Sequence, residues 1–211
     1  MTNPKPFFPD GMTDDQVATF AKQFGKALGV KIFWKTRWLS LVKWFMALMG
    51  RTIPAAVAQA LESIDAKLRP WCAKNLIFMQ CRIGDGTPWK EVVCRLAHEA
   101  GHALRIRGRV EDGGTVSSWY RDYLKTDDNR ATEEGLAFAI EDTVHYFLFG
   151  YFQGLPSDLA GSYLLDSKAV GTARAVYDLE IAKVKKHGRG SSTHQAAAEA
   201  ICYLRAIKAG R

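Results

Sequence analysis

No run in this chain is both long and apolar enough to cross a bilayer. The longest, residues 38–49, has twelve residues and carries Lys43 inside it, whereas a spanning helix takes about twenty. The opening stretch, MTNPKPFFPDGMTDD, lacks the basic-then-apolar pattern of an export signal. Cysteine is scarce. Cys72, Cys81, Cys94 and Cys202 form no CxxC pair, which argues against a disulfide-stapled module and predicts reduced thiols and a cytoplasmic protein. There is no internal repeat, no low-complexity tract and no Ser- or Gly-rich linker. The expectation is one domain over residues 1–211, with 1–70 a helical N-terminal region and 71–150 the functional core.

What is present suits a folded core. Hydrophobic residues make up 47% and charged residues 24%, with six Trp and eleven Phe, a composition that argues against disorder. The formal charge of +7 is clearly basic. It favours an acidic partner or an anionic surface, with nucleic acid a weaker candidate, and says nothing of the fold.

Hydrophobic periodicity predicts mostly helix. Residues 14–28 place Val17, Phe20, Ala21, Phe24 and Leu28 on one stripe. Residues 38–49 and 53–68 read as two further helices, the second with Pro54 in its first turn and Pro70 closing it. Residues 75–82 (NLIFMQCR) form the best strand candidate, followed by a turn at Gly84-Asp85-Gly86. Thr87-Pro88 is read as a cap with Pro at the first position of a helix running to Leu104, which Gly108 and Gly113-Gly114 end. Another helix is expected from Asp127 to Gly150. Residues 156–186 look largely helical, and 193–209 form an Ala-rich terminal helix. The predicted class is α+β and predominantly helical.

The most informative segment is His98-Glu99-Ala100-Gly101-His102. Residues four apart on a helix share a face, so both imidazoles can address one metal ion. Neutral imidazole suits Zn²⁺, and a catalytic zinc uses three protein ligands plus a water. Glu99 leans over the same space and is a candidate general base toward zinc-bound water. This is the H-E-x-x-H arrangement of metalloproteases. Ala100 and Gly101 are small, which lets the helix pack closely on a neighbour. The bland alternative is two ordinary helix histidines. Cys94, just upstream, reads as a small core residue.

A third ligand is needed. Arg105 and Gly108 stand where a metzincin would have Gly and His. The alternative is a carboxylate on a later helix, and Thr132-Glu133-Glu134-Gly135-Leu136-Ala137 lies on one, Glu134 following His102 by 32 residues. Consecutive residues point about 100° apart, so only one acid can face the metal. Glu134 shares its face with Ala137, Phe138 and Glu141, and Glu133 lies nearer Arg130. Geometry alone leaves both open.

The pair HEAGH and TEEGLA resembles the gluzincins, the zincin branch that holds thermolysin-like peptidases and alanyl-type aminopeptidases. In the latter the third ligand is the Glu of an N-E-G-F-A segment, with which Glu134-Gly135-Leu136-Ala137 aligns. The resemblance therefore implies His98, His102 and Glu134 as metal ligands, Glu99 as catalytic base, one Zn²⁺, a polypeptide substrate, and a zincin-like core with a small sheet beside the motif helix. It covers only residues 89–150. Thermolysin-like enzymes orient a histidine with an Asp four residues after the ligand Glu, where this chain has Phe138. The G-x-M-E-N exopeptidase motif is absent, which favours an endopeptidase.

Transition-state stabilisation needs a further donor, and Tyr120, Tyr123 and His145 are the candidates. Two other features have ordinary explanations. Residues 38–49 are apolar nearly all round, which suits a buried helix better than a membrane-surface one. Lys183, Lys185, Lys186 and Arg189 suit a solvated helix end better than a phosphate site. The function readings are a zinc metallopeptidase or, from a different class, a zincin-like structural or interaction module without peptidase activity.

Overall fold

A computed structural model describes residues 5–34 and 71–210. The two helices expected at 38–49 and 53–68 lie outside the described residues. Helix α1 (Asp14–Leu28) has the expected bounds. Thr13 and Gln16 cap it reciprocally, and Gly29 ends it in the left-handed conformation at φ 63°, which glycine adopts without a Cβ penalty. Strand β1 (Lys31–Trp34) follows, and it was not expected in a region read as helical.

Strand β2 (Trp71–Ala73) turns back into β3 (Leu76–Met79), the core of the predicted strand. The sheet order is β1-β3-β2, with β1 parallel and β2 antiparallel to β3. Asp85 accepts the backbone N–H groups of Arg82 and Thr87 and so holds the predicted turn.

Helix α2 (Trp89–Glu111) carries the motif. Two details differ from expectation. Pro88, not Thr87, occupies the N-cap position, and no side chain caps the helix. The helix also runs through Gly108 to Glu111, because Ile106 remains fully buried beyond Leu104 and the turn forms only at Gly113, at φ 86°. Helix α3 (Val116–Lys125) fills what reads as loop, and a Thr115–Ser118 capping box starts it.

Helix α4 (Asp127–Phe149) begins at Thr126, whose side chain accepts from Asn129 N–H, and ends at Gly150. The largely helical stretch expected over 156–186 is two helices, α5 (Leu159–Tyr163) and α6 (Ser167–His187), separated where Leu164 takes the left-handed conformation at φ 53° and Asp166 caps α6. Helix α7 (Gln195–Lys208) closes the chain.

The fold is thus predominantly helical α+β. One core is shared by α1, the sheet, α2, α7 and the C-terminal half of α4. A second joins α4 to α5 and α6. Helix α4 is therefore buried on two sides. Cys72, Cys81 and Cys94 are buried, Cys202 is exposed, and none is in a disulfide. Among the described residues no helix is long and apolar enough to cross a membrane.

Candidate metal centre

Two glycines set how closely the site's helices approach. A Cβ on Gly101 of α2 would lie 2.5 Å from Ile140 Cδ1 of α4, and one on Gly135 of α4 would lie 2.6 Å from the Ala173 carbonyl oxygen of α6. The expected role of Gly101 is thereby seen, and Gly135 does the same on the opposite side of α4. Close packing of α2 on α4 brings the motif face against Glu134, Phe138 and Glu141.

His98, His102 and Glu134 converge. All three are buried, and a ligand atom from each lies within 4.8 Å of the others. His98 Nε2 stands 3.5 Å from Glu134 Oε2, and His102 Nε2 stands 3.4 Å from Glu134 Oε1. These spacings are long for hydrogen bonds. They are ion-pair contacts, one to each Glu134 oxygen, at a separation close to the roughly 3.4 Å between two ligands of a tetrahedral ion. Glu134 Oε2 is also buried without a hydrogen-bond partner among the described residues. Two imidazoles and a carboxylate with an orphaned oxygen fit a bound divalent metal.

Glu133 turns away to Arg105, at 2.6 Å, and Asp128 pairs with Lys168 and Thr172. Glu134 alone of these faces the histidines. Glu141 meets the other side of the His98 ring. Its Oε2 accepts from His98 Nδ1 at 2.9 Å and lies 3.9 Å from Arg95. It stands seven residues after Glu134, two helical turns along the same face. Phe138, four residues after Glu134, meets the His98 ring edge-on at 4.7 Å.

The electrostatics follow from this burial. Burial works to lower the pKa of His98, but Glu134 and Glu141 outweigh it and raise the value to about 9. Burial works to raise that of Glu134, but His102 and His98 hold it well below the usual carboxylate range. Glu99 is pushed up by burial, against the pull of His98 and His102. It is buried and close enough to both histidines for their charges to act on it.

Of the expected donors, none is free over the site. Tyr120 donates to the Cys72 carbonyl oxygen. Tyr123 donates to Glu134 Oε1 at 2.8 Å and stacks on Trp119. His145 lies elsewhere, with Nδ1 on the Tyr151 carbonyl oxygen at 3.0 Å. The residue that sequence reasoning missed is Tyr163, at the end of α5. Its hydroxyl lies against Glu134 and Arg95, and burial followed by the Glu134 charge pushes its pKa far above that of a free phenol. Arg130 holds its backbone by donating to the Tyr163 and Leu164 carbonyl oxygens.

The sheet does lie beside the motif helix, since β2 and β3 both pack on α2. Strand β3 is its centre, however, paired on both sides. On β2, the charges of Glu99 and Glu134 add to burial in raising the Cys72 thiol pKa.

The chain matches no family model, no curated protein and no solved structure.

Proposed function

We propose that this chain is a zinc-dependent metallopeptidase of the zincin type, acting as an endopeptidase on a polypeptide substrate. The observation that carries the reading is the burial of His98, His102 and Glu134 with one ligand atom from each within 4.8 Å of the others, beside Glu99, on whose pKa the charges of both histidines act.

His98, His102 and Glu134 would hold the ion, and Glu141 fixes the His98 ring so that Nε2 points at it. When bound, Zn²⁺ supplies Lewis acidity and brings the pKa of a coordinated water down to roughly 7. Glu99 takes the proton of the attacking water and delivers it to the departing amine. Its buried setting raises its pKa, which suits a base that must also act as an acid near neutral pH. Tyr123 and Tyr163 both engage the Glu134 carboxylate and would hold it toward the ion.

The test separates the base from the ligands. Glu99→Gln is nearly isosteric and cannot accept a proton, so bound zinc stays near wild type. Turnover of an unstructured, labelled protein then falls by about 10²–10⁴-fold. His102→Ala instead loses zinc and activity together. If Glu99→Gln keeps full activity, or sheds zinc as readily as His102→Ala, the assignment of Glu99 is wrong. Stoichiometric zinc with no turnover of any protein would instead identify a binding module built on the same scaffold.

A further inference from the structure

The candidate centre is closed. His98, Glu99, His102 and Glu134 are between 1% and 6% exposed, so no polypeptide backbone reaches them in this arrangement. Part of the protein must move before a substrate or an ion enters.

Among the described residues, helix α3 meets the site at three points. Trp119 turns its ring edge-on to His102, with 6.1 Å between centroids. Tyr123, one turn on, stacks on Trp119 and donates to Glu134 Oε1. Tyr120 donates to the Cys72 carbonyl oxygen. Cys72 belongs to β2, an edge strand of the sheet. An extended chain pairing with that carbonyl would have to displace the Tyr120 hydroxyl. One short helix therefore engages two of the metal-ligating side chains and the neighbouring strand edge together.

The rest of α3 is lightly held. Trp119 is the one buried residue of its ten. Away from the site, Asn129 Nδ2 donates to the Asp122 carbonyl oxygen at 2.6 Å. Arg109 pairs with Asp122 at 2.9 Å, but both side chains are exposed, and such pairs contribute little. The helix hangs from Gly113-Gly114 at one end and from Thr126, in extended conformation, at the other. Gly113 stands at φ 86° with nothing within 4 Å of a Cβ built on it, so the backbone there is free to turn. Elements with few buried contacts open locally well below the cost of global unfolding, and a few loop residues absorb such a swing.

We propose that α3 is a lid on the candidate site, lifting about Gly113-Gly114 to admit the metal ion and an extended polypeptide, with Tyr120 its latch on β2 and Tyr123 its latch on Glu134. Tyr163 lies on α5 and keeps its contact with Glu134 while α3 is lifted. The polypeptide in this proposal rests on the peptidase reading; the lid itself does not.

Three readouts on the full chain test it. Amide exchange of the zinc-free protein is followed in α3, with α2 and α6 as references. Alkylation by iodoacetamide reports exposure at Cys72, whose thiol lies within reach of the Tyr120, Glu99 and Glu134 charges. Cys94, buried on α2 about two turns before His102, is its reference. Zinc release from the loaded protein to excess chelator reports access to the ligands. Tyr120→Phe removes a latch hydroxyl and keeps the ring, and Asn129→Ala removes the tie outside the site. In the wild type, α3 is expected to exchange at least about tenfold faster than α2 and α6. Each variant is expected to speed α3 exchange, Cys72 alkylation and zinc release by about three- to tenfold, the net contribution of one hydrogen bond, with Cys94 unchanged. If α3 exchanges no faster than α2 and α6, it opens only with the whole fold and the proposal is overturned. Faster α3 exchange with unchanged Cys72 alkylation shows that α3 covers nothing and overturns it as well. The wild-type exchange pattern decides even if neither variant folds. Exchange and alkylation need neither zinc nor hydrolysis, so a lid without turnover of any protein defeats the peptidase reading alone, and turnover without a separately opening α3 defeats the lid alone.

Discussion

Replacing Glu141 by Ala removes the only acceptor that holds the far side of the His98 ring among the described residues. The bond is short, 2.9 Å, and shielded by helix packing, and His98 itself is 1% exposed. A hydrogen bond to a charged group in such a place contributes about 1.5–3 kcal/mol. Orienting partners of metal-bound histidines carry about 10–100-fold in metal affinity, which is roughly 1.4–2.7 kcal/mol, so the two scales agree. Glu141→Ala should therefore weaken zinc binding by about 10–100-fold, measured by competition against a chromophoric chelator of known affinity. Glu141→Gln, whose amide oxygen still accepts from Nδ1, should fall by less than about tenfold. Glu133→Ala is the control. Glu133 belongs to the same helix but is committed to Arg105, so zinc affinity should change by less than about twofold. An unchanged affinity in Glu141→Ala, or an equal loss in Glu133→Ala, refutes the geometry on which the ligand set rests.

The metal-free protein should lose stability as pH rises from 7 to 8.5. His98 has a folded pKa of about 9 against roughly 6.5 unfolded. Its contribution is complete below the unfolded value and is lost as pH climbs through the folded one, at about 1.4 kcal/mol per pH unit in between. Denaturant midpoints of the chelator-treated protein should slope downward accordingly, and those of His98→Gln should not; a level wild-type profile contradicts the proton balance. Gly135→Ala drives a methyl against the Ala173 backbone and should cost about 1–3 kcal/mol in thermal unfolding. Gly171→Ala, on the exposed face of α6 with nothing within 4 Å, should instead stabilise by about 0.5–1 kcal/mol. Equal effects of the two would deny that α4 and α6 are in close contact.

The motif helix was legible because helical spacing is a local property: His98 and His102 align on one face whatever surrounds them. The choice of Glu134 over Glu133 was not. Two adjacent acids differ only in which neighbour each meets, and that depends on Arg105 of another helix. The place of Glu141 on the Glu134 face could be read, but its bond to His98 could not, since a partner 43 residues away fixes it. Helix α3 was missed although Thr115 and Ser118 carry its capping box, because the glycines at 113 and 114 dominated the reading. Tyr163 was hidden for a different reason. The break after it is made by Leu164 with a positive φ, a conformation a leucine does not announce, and so the short helix that carries Tyr163 does not stand out from the long one that follows.

Helix α4 meets a single imidazole on both sides. Glu134 stands 3.5 Å from Nε2 and Glu141 stands 2.9 Å from Nδ1, seven residues and roughly 10.5 Å of rise apart. A ring held in this way cannot flip, exchange its two nitrogens or swing on its own torsions without α4 sliding along α2. Its motions are therefore those of a packed helix pair, slow and collective, and not those of a side chain. Any displacement of α4 carries the ligand and its orienting partner in the same direction and by the same amount, so the site wanders as a unit while its internal distances hold.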